Sequence, residues 1–167
     1  MKSDSTTTSG IPWFRETEIF SGGTGGYQTY RIPALVVAPD GTILAFSEGR
    51  RASPYDWGEI NIVLRRSTDN GVSWREMQVV AADGANTIGN PCALVDRETS
   101  TVWLAFCKDN DSVFVTSSSD SGGTWSDPVD ITGDVKAPSW TWYATGPGHG
   151  IQISGGGLLV PCDHVEG

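Results

Sequence analysis

The side chains best suited to chemistry sit in the first half of the chain: Arg31, Glu48, Arg50, Arg51 and Asp56, with Asn90 further on. A guanidinium is a planar fork of donors and can hold a carboxylate by two parallel charge-assisted bonds. A carboxyl on a mobile loop can close over a leaving oxygen and hand it a proton. Asp56 is placed for that, in the Pro/Gly-bounded loop Ser53-Pro54-Tyr55-Asp56-Trp57-Gly58. Its aromatic neighbours would limit its solvation and favour the protonated form that a donor needs. Arg50 and Arg51 are adjacent, so in a strand they point to opposite faces and one of them reaches a ligand. Glu48 is close enough in sequence to brace either. Residue type alone leaves blander roles open: a solvated strand-start charge for Arg31, a turn for Asp56, a cap for Asn90. Cys92, Cys107 and Cys162 form no C-x-x-C pair, and His149 and His164 complete no zinc spacing, so no metal or cofactor is expected. The cysteines read as small buried core residues, and His149 as a packed residue in a Gly-rich turn.

The elements that must position these groups are short and numerous. The 167 residues include 21 Gly and 7 Trp, only 19% are charged, and 11 Lys plus Arg against 20 Asp plus Glu give a net charge of −9. That balance argues against a nucleic-acid partner. The longest apolar run, Ile32 to Ala38, is broken by Pro33 and falls far short of the ~20 residues a membrane-spanning helix needs. β-Branched and aliphatic runs punctuated by Gly, Pro, Asp and Asn predict a many-stranded antiparallel protein. Strands are expected at Ile32–Val37, Thr42–Ser47, Ile60–Arg66, Trp74–Val80, Ala93–Val95, Val102–Phe106 and Val113–Ser117, and one opening near Trp125.

The pattern also repeats. Ser67-x-Asp69-x-Gly71-x-x-Trp74 recurs 51 positions on as Ser118-x-Asp120-x-Gly122-x-x-Trp125. In such an octet Asp accepts from turn N–H groups, Gly supplies a positive φ and Trp packs beneath, which makes these residues structural rather than catalytic. Upstream, Pro33-Ala34-Leu35 answers Pro91-Cys92-Ala93-Leu94, and Leu44-Ala45-Phe46 answers Leu104-Ala105-Phe106. A third unit runs from Gly146-Pro147-Gly148-His149 to Leu158-Leu159-Val160-Pro161, and no closing strand is expected at Val165-Glu166-Gly167. Units of four short strands describe β-propeller blades, about two and a half of them here. A ring needs at least about four blades, so residues 19–167 read as the N-terminal part of an all-β propeller domain. Residues 1–18, opening on a Ser/Thr-rich stretch, read as a disordered lead-in. No signal-peptide pattern is visible, so the chain as given reads as cytoplasmic, or as secreted or periplasmic if the true start lies upstream.

The octets resemble the Asp boxes of sialidases (neuraminidases), and Tyr30-Arg31-Ile32-Pro33 resembles the YRIP motif that opens the sialidase domain. Leu44 to Arg51, Asp56, Val63 to Ser67, Asn90-Pro91-Cys92 and Gly146 to His149 are similar to family segments in the same order. The resemblance implies a six-bladed exo-α-sialidase that hydrolyses terminal α-linked sialic acids, with retention, from glycans, glycoproteins or gangliosides and without a cofactor. It implies that Arg31 is the first member of the arginine clamp on the substrate carboxylate and that Asp56 is the general acid/base. Glu48, Arg50, Arg51 and Asn90 become candidate substrate-side residues. Spacing to Asp56 fits Arg51 and the Glu-Gly-Arg context fits Arg50, which leaves that choice open.

The sialidase nucleophile is a Tyr, an exception among retaining glycosidases. A second carboxylate would have to approach an anomeric carbon that already bears one. That Tyr, its Glu partner and two further clamp arginines have no match in this sequence, so the polypeptide is expected to be inactive without the remaining blades. The other reading is a non-catalytic Asp-box propeller that binds glycans or proteins, since a fold does not fix a function.

Overall fold

The computed structural model describes residues 14–167. The part of the expected lead-in before Phe14 lies outside the described residues, and 14–18 are exposed with no regular secondary structure. Two antiparallel four-stranded meanders follow. The first blade is β1 (Thr29–Val37), β2 (Ile43–Arg50), β3 (Ile60–Ser67) and β4 (Gln78–Ala81), paired in chain order. The second is β5 (Ile88–Asp96), β6 (Thr101–Lys108), β7 (Ser112–Ser118) and β8 (Val129–Asp130). A single helical turn, α1 (Thr132–Val135), leads into a broken hairpin. There β9 (Trp140–Thr145) pairs with β12 (Cys162–Glu166), and β10 (Ile151–Gln152) with β11 (Leu158–Leu159). Val165 and Glu166, expected to lie outside any strand, pair with Trp142 and Trp140. The fourth strands begin later than Trp74 and Trp125, because each Trp still belongs to the box turn.

The boxes are duplicates down to the atom. Asp69 Oδ1 accepts from the Ser67 hydroxyl and the Ser73 N–H at 2.8 and 2.9 Å, while its Oδ2 accepts from the Ser73 hydroxyl at 2.6 Å. Asp120 accepts from Ser118 and from the Thr124 N–H and hydroxyl, each at 2.8 Å. Gly71 and Gly122 take φ of +79° and +80° and donate their N–H groups to Ser67 and Ser118. Three bonds to one carboxylate stabilise its ionised form. Asp69, through Ser73 first, and Asp120, through the Thr124 N–H first, are both lowered to about 2.

Strand register shows how the blades face one another. Ser67 lies opposite Ile43 and Ser118 opposite Val102, so Leu44-Ala45-Phe46 corresponds to Trp103-Leu104-Ala105. The match with Leu104-Ala105-Phe106 expected from the letters is therefore one residue out of step. The upstream match shifts too: Ala34 corresponds to Cys92 and Leu35 to Ala93. The reason is that a propeller blade buries one face against the next blade's opposite face. Leu44, Phe46, Ile62 and Leu64 on the first blade form one core with Ala93, Val102, Leu104 and Phe106 on the second. The second blade's other face carries Cys107 and Val113, which pack on Tyr143 of the third unit. Both sets are apolar, so similar letters occur on opposite faces.

The first strands run side by side: Ala93 bridges His149 in parallel, and the Gly150 N–H donates to the Ala93 carbonyl at 2.9 Å. The His149 side chain is exposed rather than packed. Each first strand breaks just before a proline, at Ile32, Asn90 and Gly146, with φ of +54°, +58° and +85°. In β1 and β5 the register slips there, between Arg31 and Ala34 and between Gly89 and Cys92. A β-branched residue at positive φ is a genuine outlier, and it immediately follows Arg31.

Candidate active site

Arg31 sits on β1 opposite Glu48 of β2, with Arg50 two residues further along the same face as Glu48. The loop between β2 and β3 folds Asp56 over this face. Its Oδ1 accepts from Arg31 Nη1 at 2.9 Å and from Arg50 Nη2 at 2.6 Å. Arg50 donates through Nε and Nη2 to Glu48 Oε2 at 3.0 and 2.6 Å, and through Nη1 to the Pro54 carbonyl at 2.6 Å. Glu48 Oε1 accepts the Asn90 N–H of the second blade at 2.8 Å. One continuous chain of bonds thus runs from Asn90 through Glu48, Arg50 and Asp56 to Arg31. Arg50 is only 2% exposed, and a charge so buried is tolerable because its donors are matched by Glu48, Asp56 and a carbonyl.

Of the two adjacent arginines, Arg50 joins this network and Arg51 does not. Arg51 turns to the other side, pairs with Glu59 at 2.8 Å, donates to the Gly26 carbonyl and lies 4.9 Å over the Tyr27 ring. Asn90 contributes its backbone N–H; no side-chain bond of its amide is present among the described residues. The ends of the loop are tethered: the Arg51 N–H donates to the Glu59 carbonyl, while the Gly58 N–H donates to the Thr87 hydroxyl and that hydroxyl to the Gly58 carbonyl. One expectation for the loop fails. Tyr55 and Trp57 do not shield Asp56, whose side chain is 72% exposed; they stack on one another.

Gly89 and Thr87 escaped sequence reasoning. A Cβ on Gly89 would lie 2.5 Å from Glu48 Oε1, so only glycine leaves room for the strut between blades. Neither position belongs to a motif, and the only available signal was the Asn-Pro step that follows Gly89. Cys162 is exposed, unlike the buried Cys92 and Cys107, because it lies on the outer strand of the third hairpin.

Chemically, Arg31 is 46% exposed, and its Nε and Nη2 have no protein partner among the described residues. It can therefore receive an anion alongside a carboxyl group already in place. The profile of the BNR repeat-like domain matches residues 41–167. The chain belongs to the BNR repeat-like domain family. Its relatives within that family are sialidases, as the YRIP motif and the Asp boxes had indicated. An exo-alpha-sialidase of Aspergillus fumigatus is 35% identical over 91% of this chain and 46% of its own length. Sialidase-3 of Bos taurus is 35% identical over 80% of this chain and 36% of its own. Among solved structures, the Hadza microbial sialidase Hz136 superposes with a TM-score of 0.79 at 30% identity, covering 84% of this chain and 33% of that one. The leech intramolecular trans-sialidase complexed with 2,7-anhydro-Neu5Ac reaches 0.80 at 16% identity, over 93% and 43%, and shows the shared fold. This BNR chain spans less than half the length of the curated relatives it matches.

Proposed function

We propose that this chain supplies part of the active site of an exo-α-sialidase, acting on terminal α-linked sialic acids of glycans, glycoproteins or gangliosides with retention of configuration. The observation that carries the reading is the shared contact of Arg31 and Arg50 with Asp56 at 2.9 and 2.6 Å. It puts a half-exposed guanidinium beside an exposed carboxyl at the mouth of a buried ion network. In this reading Arg31 binds the substrate carboxylate. Asp56 protonates the glycosidic oxygen through Oδ2, which has no partner among the described residues, and later takes a proton from the attacking water. Arg50 and Glu48 hold Asp56 at the right distance. Further blades, completing six, supply the Tyr nucleophile, its Glu partner and two more clamp arginines, so the 167 residues by themselves turn over no sialoside.

The test is turnover of a fluorogenic sialoside by this chain joined to its remaining blades. Asp56→Asn is expected to lower kcat by about 10²–10⁴-fold, the range of general acid–base catalysis, with only a small drop in the urea midpoint, since the amide oxygen can still accept from Arg50 and Glu48 still balances its charge. Arg31→Ala is expected to raise KM and lower kcat together. Unchanged turnover in either variant would remove that residue from the mechanism. A protein that binds sialosides but never hydrolyses them would favour the non-catalytic propeller.

A further inference from the structure

Thr87 stands on the link between β4 and β5, and every polar group it has is engaged. Its N–H donates to Asp109 Oδ1 at 2.9 Å and its carbonyl accepts the Asp109 N–H at 2.8 Å, so the turn between β6 and β7 grips it from both sides. Its hydroxyl meets a single residue twice, accepting the Gly58 N–H at 3.1 Å and donating to the Gly58 carbonyl at 3.0 Å. A hydroxyl has one proton and two lone pairs and can serve both bonds at once. Valine, of the same shape, can serve neither. Thr87 is buried, whereas Asp56, two residues before Gly58, is exposed.

Among the described residues, the only hydrogen bonds reaching residues 52–57 are those of Arg50 to the Pro54 carbonyl and of Arg31 and Arg50 to Asp56 Oδ1. The two bonds to Asp56 are charge-assisted and hold the carboxylate. A carboxyl that carries the proton it is to donate has lost that charge, and with it most of the attraction. Its place then depends on the backbone anchors, of which Gly58 is the nearest on the C-terminal side. We infer, on the reading of Asp56 as proton donor, that Thr87 is a positioning residue for it: through Gly58, the second blade sets where the protonated carboxyl stands. A misplacement of about 1 Å can cost on the order of 10²-fold in rate. One hydroxyl, two residues from the donor, is enough to matter.

The test compares two substrates, using the chain joined to its remaining blades. An aryl sialoside loses a stabilised phenolate and needs little protonation, whereas 3′-sialyllactose must lose an alkoxide unless Asp56 supplies a proton. For both, kcat/KM reports the bond-breaking step. Thr87→Val is expected to lower kcat/KM on 3′-sialyllactose by about 10–10²-fold and to leave the aryl sialoside nearly unchanged, with Thr87→Ser close to native on both. Asp109→Gly keeps Thr87, suits the φ of +53° at that position and removes only the carboxylate, so it is expected to give the same split more weakly. If Thr87→Val does not fold, Asp109→Gly decides. A purely structural role lowers both substrates alike, and that result, or no loss on either, overturns the proposal. Asp56→Asn is the reference. No split in Asp56→Asn sinks the proton-donor reading and the positioning role together, whereas a split there without one in Thr87→Val or Asp109→Gly sinks the positioning role alone.

Discussion

At the scale of single residues, the determining fact is that Arg50 is buried and fully engaged while Arg31 is half free. Arg50 is therefore a support and Arg31 a receiver, although both are guanidiniums touching the same oxygen. Removing one partner of a buried pair leaves an uncompensated charge, which typically costs about 3–5 kcal/mol. Glu48→Ala is expected to destabilise the chain by that order, read from urea unfolding, and Glu48→Gln by less, since its amide oxygen can still accept from the Asn90 N–H or from Arg50. Arg31, Asp56, Glu48 and Arg50 were all legible as candidates from residue type and from the family motifs. The division of labour was not. Side-chain direction at the end of β2 depends on how Tyr27 and Glu59 draw Arg51 away, and those contacts join residues far apart in sequence as well as near.

At the scale of elements, the strands and box turns were readable because each is local. Turn chemistry fixes the octet, and alternation fixes the faces. Register was misread because the two faces of a blade are equally apolar, so Leu104 and Phe106 mimic Leu44 and Phe46 from the opposite side. The break before each first-strand proline gives a backbone test. Because the Asn90 side chain makes no bond among the described residues, Asn90→Gly is expected to be nearly neutral. Asn90→Val places a β-branched residue at φ +58° and is expected to cost about 1–2 kcal/mol, measured by thermal or urea unfolding. The box carboxylates give a pH test. Their folded values are depressed to about 2 from an ordinary 3.8, so the unfolded chain binds more protons between those limits. Stability from the boxes is complete above that window and lost as pH falls through it. Replacing Asp69 and Asp120 with Asn is expected to flatten the acid limb of the stability–pH curve.

At the scale of the whole molecule, the first two blades share one large core, whereas the third unit meets the second through a small cluster at Cys107, Val113 and Tyr143. Local opening is expected to begin in the third hairpin, where few apolar contacts resist it. The three cysteines report this directly. Burial pushes the Cys92 thiol up to about 11 and raises that of Cys107, so both should resist an aromatic disulfide reagent in the folded chain. Cys162 is expected to react at once, and Cys92 and Cys107, which both face the third unit, together when that unit opens and before global unfolding; labelling of either buried thiol only with global unfolding would refute this order.

The offset between blade faces has a last consequence, best put in the language of polymers. Every unit offers one face to its successor and receives its predecessor on the other, so the contact is directional and the two faces differ in kind. Contacts of that sort close into a ring when the rotation per unit divides a full circle, and otherwise extend without limit. A blade is thus a two-ended monomer, and the angle between neighbours, more than the strength of any one contact, decides whether the outcome is a closed object or a fibre.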